Sequence, residues 1–297
     1  MATLQIFIAT YNRPDLICKT IDSILTQKGW DYELLVSDNS TNDLTSKIIS
    51  EKYAKSVRYI KRNLSVDVIT HLNMILNDVS AEYFMIFHDD DTMNEGMLKS
   101  IHEAFKNDQS LVAVGCNAHT IKNDKIGKTW FLRDHKENQL VKGPRDMAGR
   151  YLVPNQIVPF PSYIFSAAVA LNLRFDSGKG GKFSDVAFLI DVAALGNILL
   201  IAMPLMNYFI HKGQDSFTND FKARLKLIKY ISEKAGIEKS RRDLKKFRLN
   251  NIYLENRSSK LLRVRALLRK RSLILLAEKD YSAYIKLSLL TILSRFK

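Results

Sequence analysis

Apolar and polar residues are arranged along the N-terminal third of this chain in blocks that predict strands and helices in turn. Short apolar runs of the length of buried strands lie at residues 4–9, 32–37, 57–60 and 83–87. Between them, residues 15–27 and 44–53 have apolar positions at helical spacing. Asp15 is a candidate cap for the first helix, after a loop that ends at Pro14. Because strands that alternate with helices form parallel sheets, this pattern predicts an α/β fold.

Polar clusters follow the predicted strands directly, with Thr10–Arg13 after the first, Asp38–Ser40 after the second and Asp89–Asp91 after the fourth. Open α/β sheets bind ligands at the carboxyl ends of their strands. Three adjacent carboxylates repel one another unless a cation lies among them, and Mg²⁺ or Mn²⁺ binds one or two carboxylates together with substrate phosphates. The Asp triplet therefore indicates a metal–nucleotide site, and a solvated acidic turn before the next helix is the alternative.

Three segments in this order, IFIATYNRPDL, ELLVSDNS and MIFHDDD, resemble the inverting glycosyltransferases of family 2 with the GT-A fold. The resemblance covers roughly residues 3–217 and is weaker between 117 and 160. It implies a mostly parallel GT-A sheet flanked by helices, a UDP- or dTDP-sugar as donor, and Mn²⁺ or Mg²⁺ as cofactor. It also implies an acceptor hydroxyl that attacks in a single displacement with inversion.

The nucleotide contacts implied by this resemblance lie in three loops and comprise Thr10, Tyr11, Arg13, Asp38, Arg62 and Asn63. The first loop holds the base and the ribose. Asp38 matches the carboxylate that accepts a hydrogen bond from a ring N–H of the base. The third loop adds a further nucleotide contact, for which Lys61 is an alternative to Arg62.

The Asp triplet resembles the metal motif of the family. Aligned through the downstream Leu98, Asp89 is the variable position on the donor side, Asp90 is the metal ligand and Asp91 is its neighbour in the site. His88 stands where an Asp is common in the family. This departure leaves the ligand set open between members of the triplet.

The catalytic base is expected further along the chain, where the glycine-rich segment 178–184 precedes Asp185 and an apolar pattern of helical spacing. The resemblance implies an acidic residue that opens an amphipathic helix after a loop of small residues. A carboxylate at this place takes the acceptor proton while the metal neutralises the diphosphate, and burial near Phe183 would increase its basicity. One alternative is that Asp185 only complements the helix dipole, and another is that Asp191 is the base.

A late segment, Tyr208–Ser216, resembles the strand and loop that carry a histidine near the diphosphate. It implies that His211 ligates the metal or donates to a phosphate, with a structural histidine as the alternative. The acceptor is expected at the variable segment 117–165. There Trp130, Tyr151 and Tyr163 either stack on a sugar ring or serve as core or interface aromatics.

Charge divides the chain into two parts. Residues 1–221 have a net charge of −2 and residues 222–297 a net charge of +16, which together give the overall +14. We expect a catalytic domain over 1–221 and a basic helical region over 222–297, in which leucines and tyrosines interleave with arginines and lysines. A basic amphipathic surface binds anionic membranes, so a membrane surface is the expected partner. A helical subdomain or homo-oligomer contact is the main alternative, and we expect no nucleic-acid partner.

The remaining features concern location and enzyme class. Cys18 and Cys116 form no paired motif, no apolar run reaches 18 residues, and no signal peptide or phosphate-binding glycine motif is recognised. We therefore expect a cytoplasmic enzyme, peripheral at the inner face of the plasma membrane. The resemblance to the family implies that it acts in bacterial surface-polysaccharide synthesis. The alternatives are a nucleotidyltransferase, whose usual glycine-rich basic N-terminal loop is absent, and a catalytically inactive membrane-associated scaffold.

Overall fold

The computed structural model of the chain describes residues 3–122, 125–132, 136–153, 156–210 and 220–237. Within these ranges the strands are β1 (Leu4–Thr10), β2 (Tyr32–Asp38), β3 (Arg58–Lys61), β4 (Tyr83–His88), β5 (Thr92–Met93), β6 (Leu111–Lys122), β7 (Lys125–Trp130), β8 (Gln139–Val141), β9 (Ile164–Ser166) and β10 (Asn197–Ile210). The helices are α1 (Pro14–Leu25), α2 (Leu44–Ile48), α3 (Val68–Asp78), α4 (Met97–Asn107), α5 (Gly143–Tyr151), α6 (Ala167–Asn172), α7 (Ser177–Gly180), α8 (Ser184–Val192) and α9 (Phe221–Lys234).

These strands form a single sheet in the order β3-β2-β1-β4-β9-β6-β10-β5, with β7 paired to β6 and β8 to β10. The first four strands of this order are parallel, and so are β6 and β10. The short strand β9 is antiparallel to both of its neighbours and joins the two parallel parts. The mostly parallel sheet flanked by helices confirms the predicted α/β GT-A fold class.

The register of the parallel strands brings their carboxyl ends together. Thr10 of β1 lies opposite Asp38 of β2, Asp38 lies opposite Lys61 of β3, and Ala9 of β1 lies opposite His88 of β4. We call this edge of the sheet, where β1, β2, β3 and β4 end, the site edge. All three polar clusters recognised in the sequence follow strands that end there.

Alternation along β1 sends its side chains into two cores, one on each face of the sheet. Leu4, Ile6 and Ile8 pack on the face covered by α1 and α4, whereas Phe7 packs on the face covered by α5, α8 and α9. Fully burying an aliphatic or aromatic side chain of this size stabilises a fold by about 1.5–3 kcal/mol, so both cores hold the site edge rigidly.

The structure differs from the prediction at the start of α1 and around Asp185. Pro14 is the first residue of α1 instead of the last of the loop, since proline has the helical φ and needs no N–H there. The segment predicted as a loop before Asp185 forms the short helix α7 and a 3₁₀ turn over Gly181–Phe183. The helix α8 that follows is not amphipathic, because it is buried on almost every side.

The helix α9 packs on the same core as Phe7 through Leu227, Ile228 and Ile231. It begins at the predicted domain boundary near residue 221, so the first part of the basic C-terminal region covers the catalytic core. Residues 238–297 lie outside the described ranges, and the division into two domains stays a prediction. No helix in the described part of the chain combines the length and the apolar character that a membrane span requires.

Candidate active site at the ends of the parallel strands

The Asp triplet sits in a buried turn after β4. Asp89 and Asp91 are fully buried, and Asp90 is 9% exposed. The hydroxyl of Thr20 in α1 donates to the backbone carbonyls of Asp89 and Asp91, at 2.9 and 2.8 Å, and so holds the turn in place. Thr20 was not recognised in the sequence, because nothing in the helical pattern of α1 marks it as a contact of the triplet.

Arg13 neutralises part of the triplet from the first loop. Its Nη2 lies 2.9 Å from Asp89 Oδ1 and its Nη1 lies 3.0 Å from Asp90 Oδ2. The hydroxyl of Thr10 donates to Asp89 Oδ2 at 2.6 Å. Even with these partners, burial raises the pKa of Asp89 to about 6, so the turn still favours additional positive charge.

The surroundings of Asp91 and His88 indicate a cation site that the two residues share. Its Oδ1 accepts a hydrogen bond from the backbone N–H of Phe209 at 3.0 Å, whereas its Oδ2 is buried and accepts none from any described residue. Burial, with the neighbouring Asp90 charge, raises the pKa of Asp91 well above its ordinary value. Burial also lowers the pKa of His88, which favours the neutral imidazole that ligates metals.

Ligand atoms of His88, Asp90 and Asp91 lie within 4.8 Å of one another. Two carboxylates and an imidazole suit Mn²⁺, and the carboxylates suit Mg²⁺, so these residues fit the predicted divalent cation. His88 was noted in the sequence only as a departure from the family motif, and its place directly before the triplet was the available signal. The other candidate ligand, His211, lies outside the described residues.

The second loop is tied to the first. The backbone N–H of Asn12, a residue with a left-handed φ of 54°, donates to Ser40 Oγ at 2.7 Å. Asp38 is fully buried, and its two oxygens accept from the Tyr59 hydroxyl at 2.6 Å and the Ser40 amide at 2.8 Å. Tyr11 is 47% exposed beside these loops, as a residue that contacts a nucleotide must be before it binds. The predicted roles of Tyr11 and Asp38 on the base and ribose stay predictions.

The two candidate nucleotide contacts of the third loop, Arg62 and Asn63, differ in their exposure. Arg62 is buried, with Nε donating to Ser37 Oγ at 3.0 Å and Nη2 donating to Asp78 Oδ2 at 2.7 Å. Asn63 is exposed. Lys61 lies 3.5 Å from Asp38 Oδ2, nearer to the first two loops. A nucleotide contact by Arg62 or Asn63 stays a prediction, with Lys61 as its alternative.

Asp185 lies in the first turn of α8, one residue after its start, and has no cationic partner at ion-pair distance in the described part of the chain. Its Oδ1 accepts the Val186 amide at 2.8 Å, and burial raises its pKa to about 6, as expected for a base near neutral pH. Its charge helps to raise the pKa of Tyr163 after the larger effect of burial, so the two residues are close. Tyr163 precedes β9, whose antiparallel register with β4 directs it toward the site edge.

Asp191, the alternative base, has a structural environment. It lies 2.8 Å from Lys179 Nζ and 3.9 Å from Lys234 Nζ, and it accepts a short hydrogen bond from the Tyr230 hydroxyl. This network joins α7, α8 and α9. Both carboxylate oxygens of Asp191 are therefore engaged within the protein, whereas Asp185 has no ion-pair partner among the described residues.

The three aromatic residues proposed for sugar stacking have different environments. Tyr163 is fully buried and stacks on Phe165 at 5.8 Å, so the core alternative holds for it. Tyr151 is half-buried against the core on the side of Asp185. The side chain of Trp130 lies outside the described part of the chain.

Comparison with known proteins adds the family. The model of the family described as Glycosyl transferase family 2 matches residues 5–166, more than half of the chain. An uncharacterized glycosyltransferase of Haemophilus influenzae is 24% identical over 248 residues, which cover 79% of this chain and 76% of that protein. The teichoic acid poly(glycerol phosphate) polymerase of Staphylococcus epidermidis is 27% identical over 116 residues, which cover 38% of this chain and only 16% of that protein.

Among solved structures, TarS 1–349 of Staphylococcus aureus in complex with UDP-GlcNAc superposes with a TM-score of 0.61 at 16% identity. The match covers 96% of this chain and 90% of that one, and at this identity it shows the fold alone. The fold, the polar clusters at the site edge and the family match agree with one another. The chain belongs to glycosyl transferase family 2, as its sequence motifs indicated.

Proposed function

We propose that this protein transfers a sugar from a nucleoside-diphosphate sugar to a hydroxyl group of a glycan or lipid-linked acceptor, with inversion at the anomeric carbon. The observation that supports the proposal most is the site edge, where the buried Asp triplet lies beside Arg13 and His88 and offers ligand atoms for a cation. The S. aureus structure that contains UDP-GlcNAc supports a nucleotide-sugar donor. The polymerase named for teichoic acid supports a role in bacterial surface-polysaccharide synthesis.

Different residues hold the cation and accept the proton in the proposed reaction. Asp90, Asp91 and His88 would hold a divalent cation, which when bound supplies positive charge to the leaving diphosphate. Asp185 accepts the proton of the acceptor hydroxyl as the new bond to the anomeric carbon forms and the bond to the diphosphate breaks. The breaking bond leaves its electron pair on the diphosphate. One displacement on one face of the sugar inverts its configuration.

A donor screen tests this proposal. With Mn²⁺ present, one of a panel of UDP-, dTDP- and GDP-sugars should raise the melting temperature of the full chain, because a ligand at 100 times its Kd stabilises the fold by about 2.7 kcal/mol. The stabilising donor should then release its nucleoside diphosphate during transfer or slow hydrolysis. If no sugar nucleotide stabilises the chain and none is consumed, the proposed function is wrong.

We further propose that the basic C-terminal region holds the enzyme at an anionic membrane surface on the cytoplasmic side. Vesicles that contain phosphatidylglycerol should co-sediment the full chain at low salt, and less of it at 1 M salt, where the Debye length is about 3 Å. Removal of residues 238–297, which spares the packed helix α9, should abolish this binding. A full chain that does not bind anionic vesicles at low salt would support the subdomain or oligomer alternative.

A further inference from the structure

A basic groove runs along α5, on a part of the molecule that the proposed donor and metal contacts do not use. We call it the α5 groove. It has a volume of about 600 Å³ and is lined by Lys142, Arg145, Asp146, Arg150 and Val153, among others.

The charge of the α5 groove is unbalanced. Asp146 is the carboxylate in its lining, and that residue is engaged within the protein: Oδ1 accepts Arg150 Nε at 3.0 Å and Oδ2 accepts the Lys142 amide at 3.0 Å. The side chains of Lys142 and Arg145 are exposed and form no ion pair within the described part of the chain. Two cations therefore face the groove, in a region whose overall charge is slightly negative.

The α5 groove lies on a helix that packs against the helix of the proposed base. The helix α5 packs on α8 and α9 and ends at Tyr151, next to Arg150 of the groove. Burial mainly raises the pKa of Tyr151, to about 12, and the charge of Asp185 adds to the rise. The helix that lines the groove therefore packs on the helix whose first turn carries Asp185. Arg13 and the Asp triplet belong to the ends of β1 and β4 instead.

Arg224 in the first turn of α9 adds a third cation near the end of α5. It hydrogen-bonds the Tyr151 hydroxyl, and its guanidinium carbon lies 4.2 Å from the ring centre of Phe183, two residues before Asp185. Its Nε is buried and donates to no described acceptor. A buried cationic N–H without an acceptor is costly unless a ligand supplies one. The sequence assigned Arg224 only to the general basic character of the C-terminal region.

We propose that the α5 groove, together with Arg224, which contacts Tyr151 at the end of α5, binds the acceptor, and that this acceptor carries phosphate groups. The inference rests on the proposed sugar transfer and names the chemical class of its second substrate. Arginine forks match phosphate oxygens in geometry and charge, which a neutral glycan does not offer. The groove also has the amide of Gln156 in its lining, but its exposed charged side chains, Lys142 and Arg145, are both cationic.

The test uses two double variants of the full chain with the same change in net charge. Lys142→Glu/Arg145→Glu alters the groove, and Lys52→Glu/Lys55→Glu alters exposed lysines around the turn after α2, at the other end of the sheet. Short-chain polyphosphate is the probe, dextran is the neutral control, and calorimetry measures the affinity. Because the basic C-terminal region is the same in both variants, its attraction for polyphosphate cancels in the comparison.

We expect the groove variant to bind polyphosphate at least about tenfold more weakly than the lysine control, as the loss of a charge-assisted contact implies. Polyphosphate should also protect Arg145, but not the exposed Arg58, from phenylglyoxal, as mapped by peptide mass spectrometry. Equal affinities in the two variants, or an unprotected Arg145, would overturn the proposal and leave the basic C-terminal region as the anion-binding part.

Two further measurements distinguish this proposal from the proposed function and from a membrane contact at the groove. Donor binding with Mn²⁺ should be the same in the groove variant as in the wild type, which also shows that the variant is folded. A wild type that binds polyphosphate at the groove but binds no sugar nucleotide would refute the proposed function and not the anion site. If phosphatidylglycerol vesicles protect Arg145 and polyphosphate does not, the groove is a membrane contact and the proposed acceptor class is wrong.

Discussion

Asp185→Asn should lower the rate of sugar transfer by about 10²–10⁴-fold, the usual contribution of a general base. The amide keeps the shape of the carboxylate and its acceptor oxygen toward the Val186 amide, but it cannot take the acceptor proton. Donor affinity should be unchanged, because the proposed donor contacts lie at the site edge. Steady-state rates with the donor found in the screen measure the effect, and calorimetry with that donor measures the affinity.

The matched control is Asp191→Asn in the same helix. It removes a carboxylate that holds Lys179 and the Tyr230 hydroxyl, so it should lower the melting temperature while the turnover of the folded protein changes little. The opposite pattern, with full activity in Asp185→Asn and a large loss in Asp191→Asn, would transfer the role of base to Asp191.

The pH profile gives the same assignment a second readout. A base is active when deprotonated, and the Asp185 pKa is about 6, so the wild-type rate should fall about tenfold per pH unit below pH 6. The residual activity of Asp185→Asn should lack this fall. Burial also raises the free energy of the ionised Asp185 carboxylate in the folded protein. The contribution of this group to the free energy of unfolding is therefore present at low pH and is lost as pH rises through 6. The Asn variant should therefore melt no lower than the wild type at pH 7.5.

Asp90→Ala and Asp91→Ala should each abolish the contribution of Mn²⁺ to donor binding, a loss of about 100-fold or more, since even the outer contacts of metal sites are worth 10–100-fold. The fold should remain intact, because each change removes one of three crowded carboxylates and leaves the Thr20 contacts to backbone carbonyls in place. Calorimetry with UDP, with Mn²⁺ or with EDTA, measures the loss.

Asp22→Ala is the control for these two variants, since it removes an exposed carboxylate of α1 that binds the Tyr53 hydroxyl. Its metal-dependent affinity for UDP should match that of the wild type. Unchanged metal-dependent affinity in both triplet variants would refute the metal site at the end of β4. Loss in Asp90→Ala alone would restrict the ligands to Asp90 and His88.

The ends of the parallel strands were predictable because the signals there are local. Each strand is a short apolar run, and the polar residues that follow it cannot continue into the core, so Thr10, Asp38 and Asp89 mark the strand ends in the sequence itself. Parallel pairing then brings these ends to one edge without any long-range information. The start of the helix that carries Asp185 was predictable for a similar reason, since it follows a glycine-rich segment, whereas the role of Asp185 as the base stays a prediction from the family resemblance.

The sequence by itself therefore determined the α/β class, the four strands that meet at the site edge and the residues that follow them, because hydrophobic periodicity and strand ends are properties of neighbouring residues. Only the tertiary structure decided the partners of those residues. Arg13 pairs with Asp89 and Asp90 across 76 and 77 positions of the sequence, and Asp191, but not Asp185, is occupied by Lys179 and Tyr230. The path of the chain also places Arg224 of α9 beside Tyr151. Such contacts depend on which helices cover which face of the sheet, and that is set by packing of the whole core.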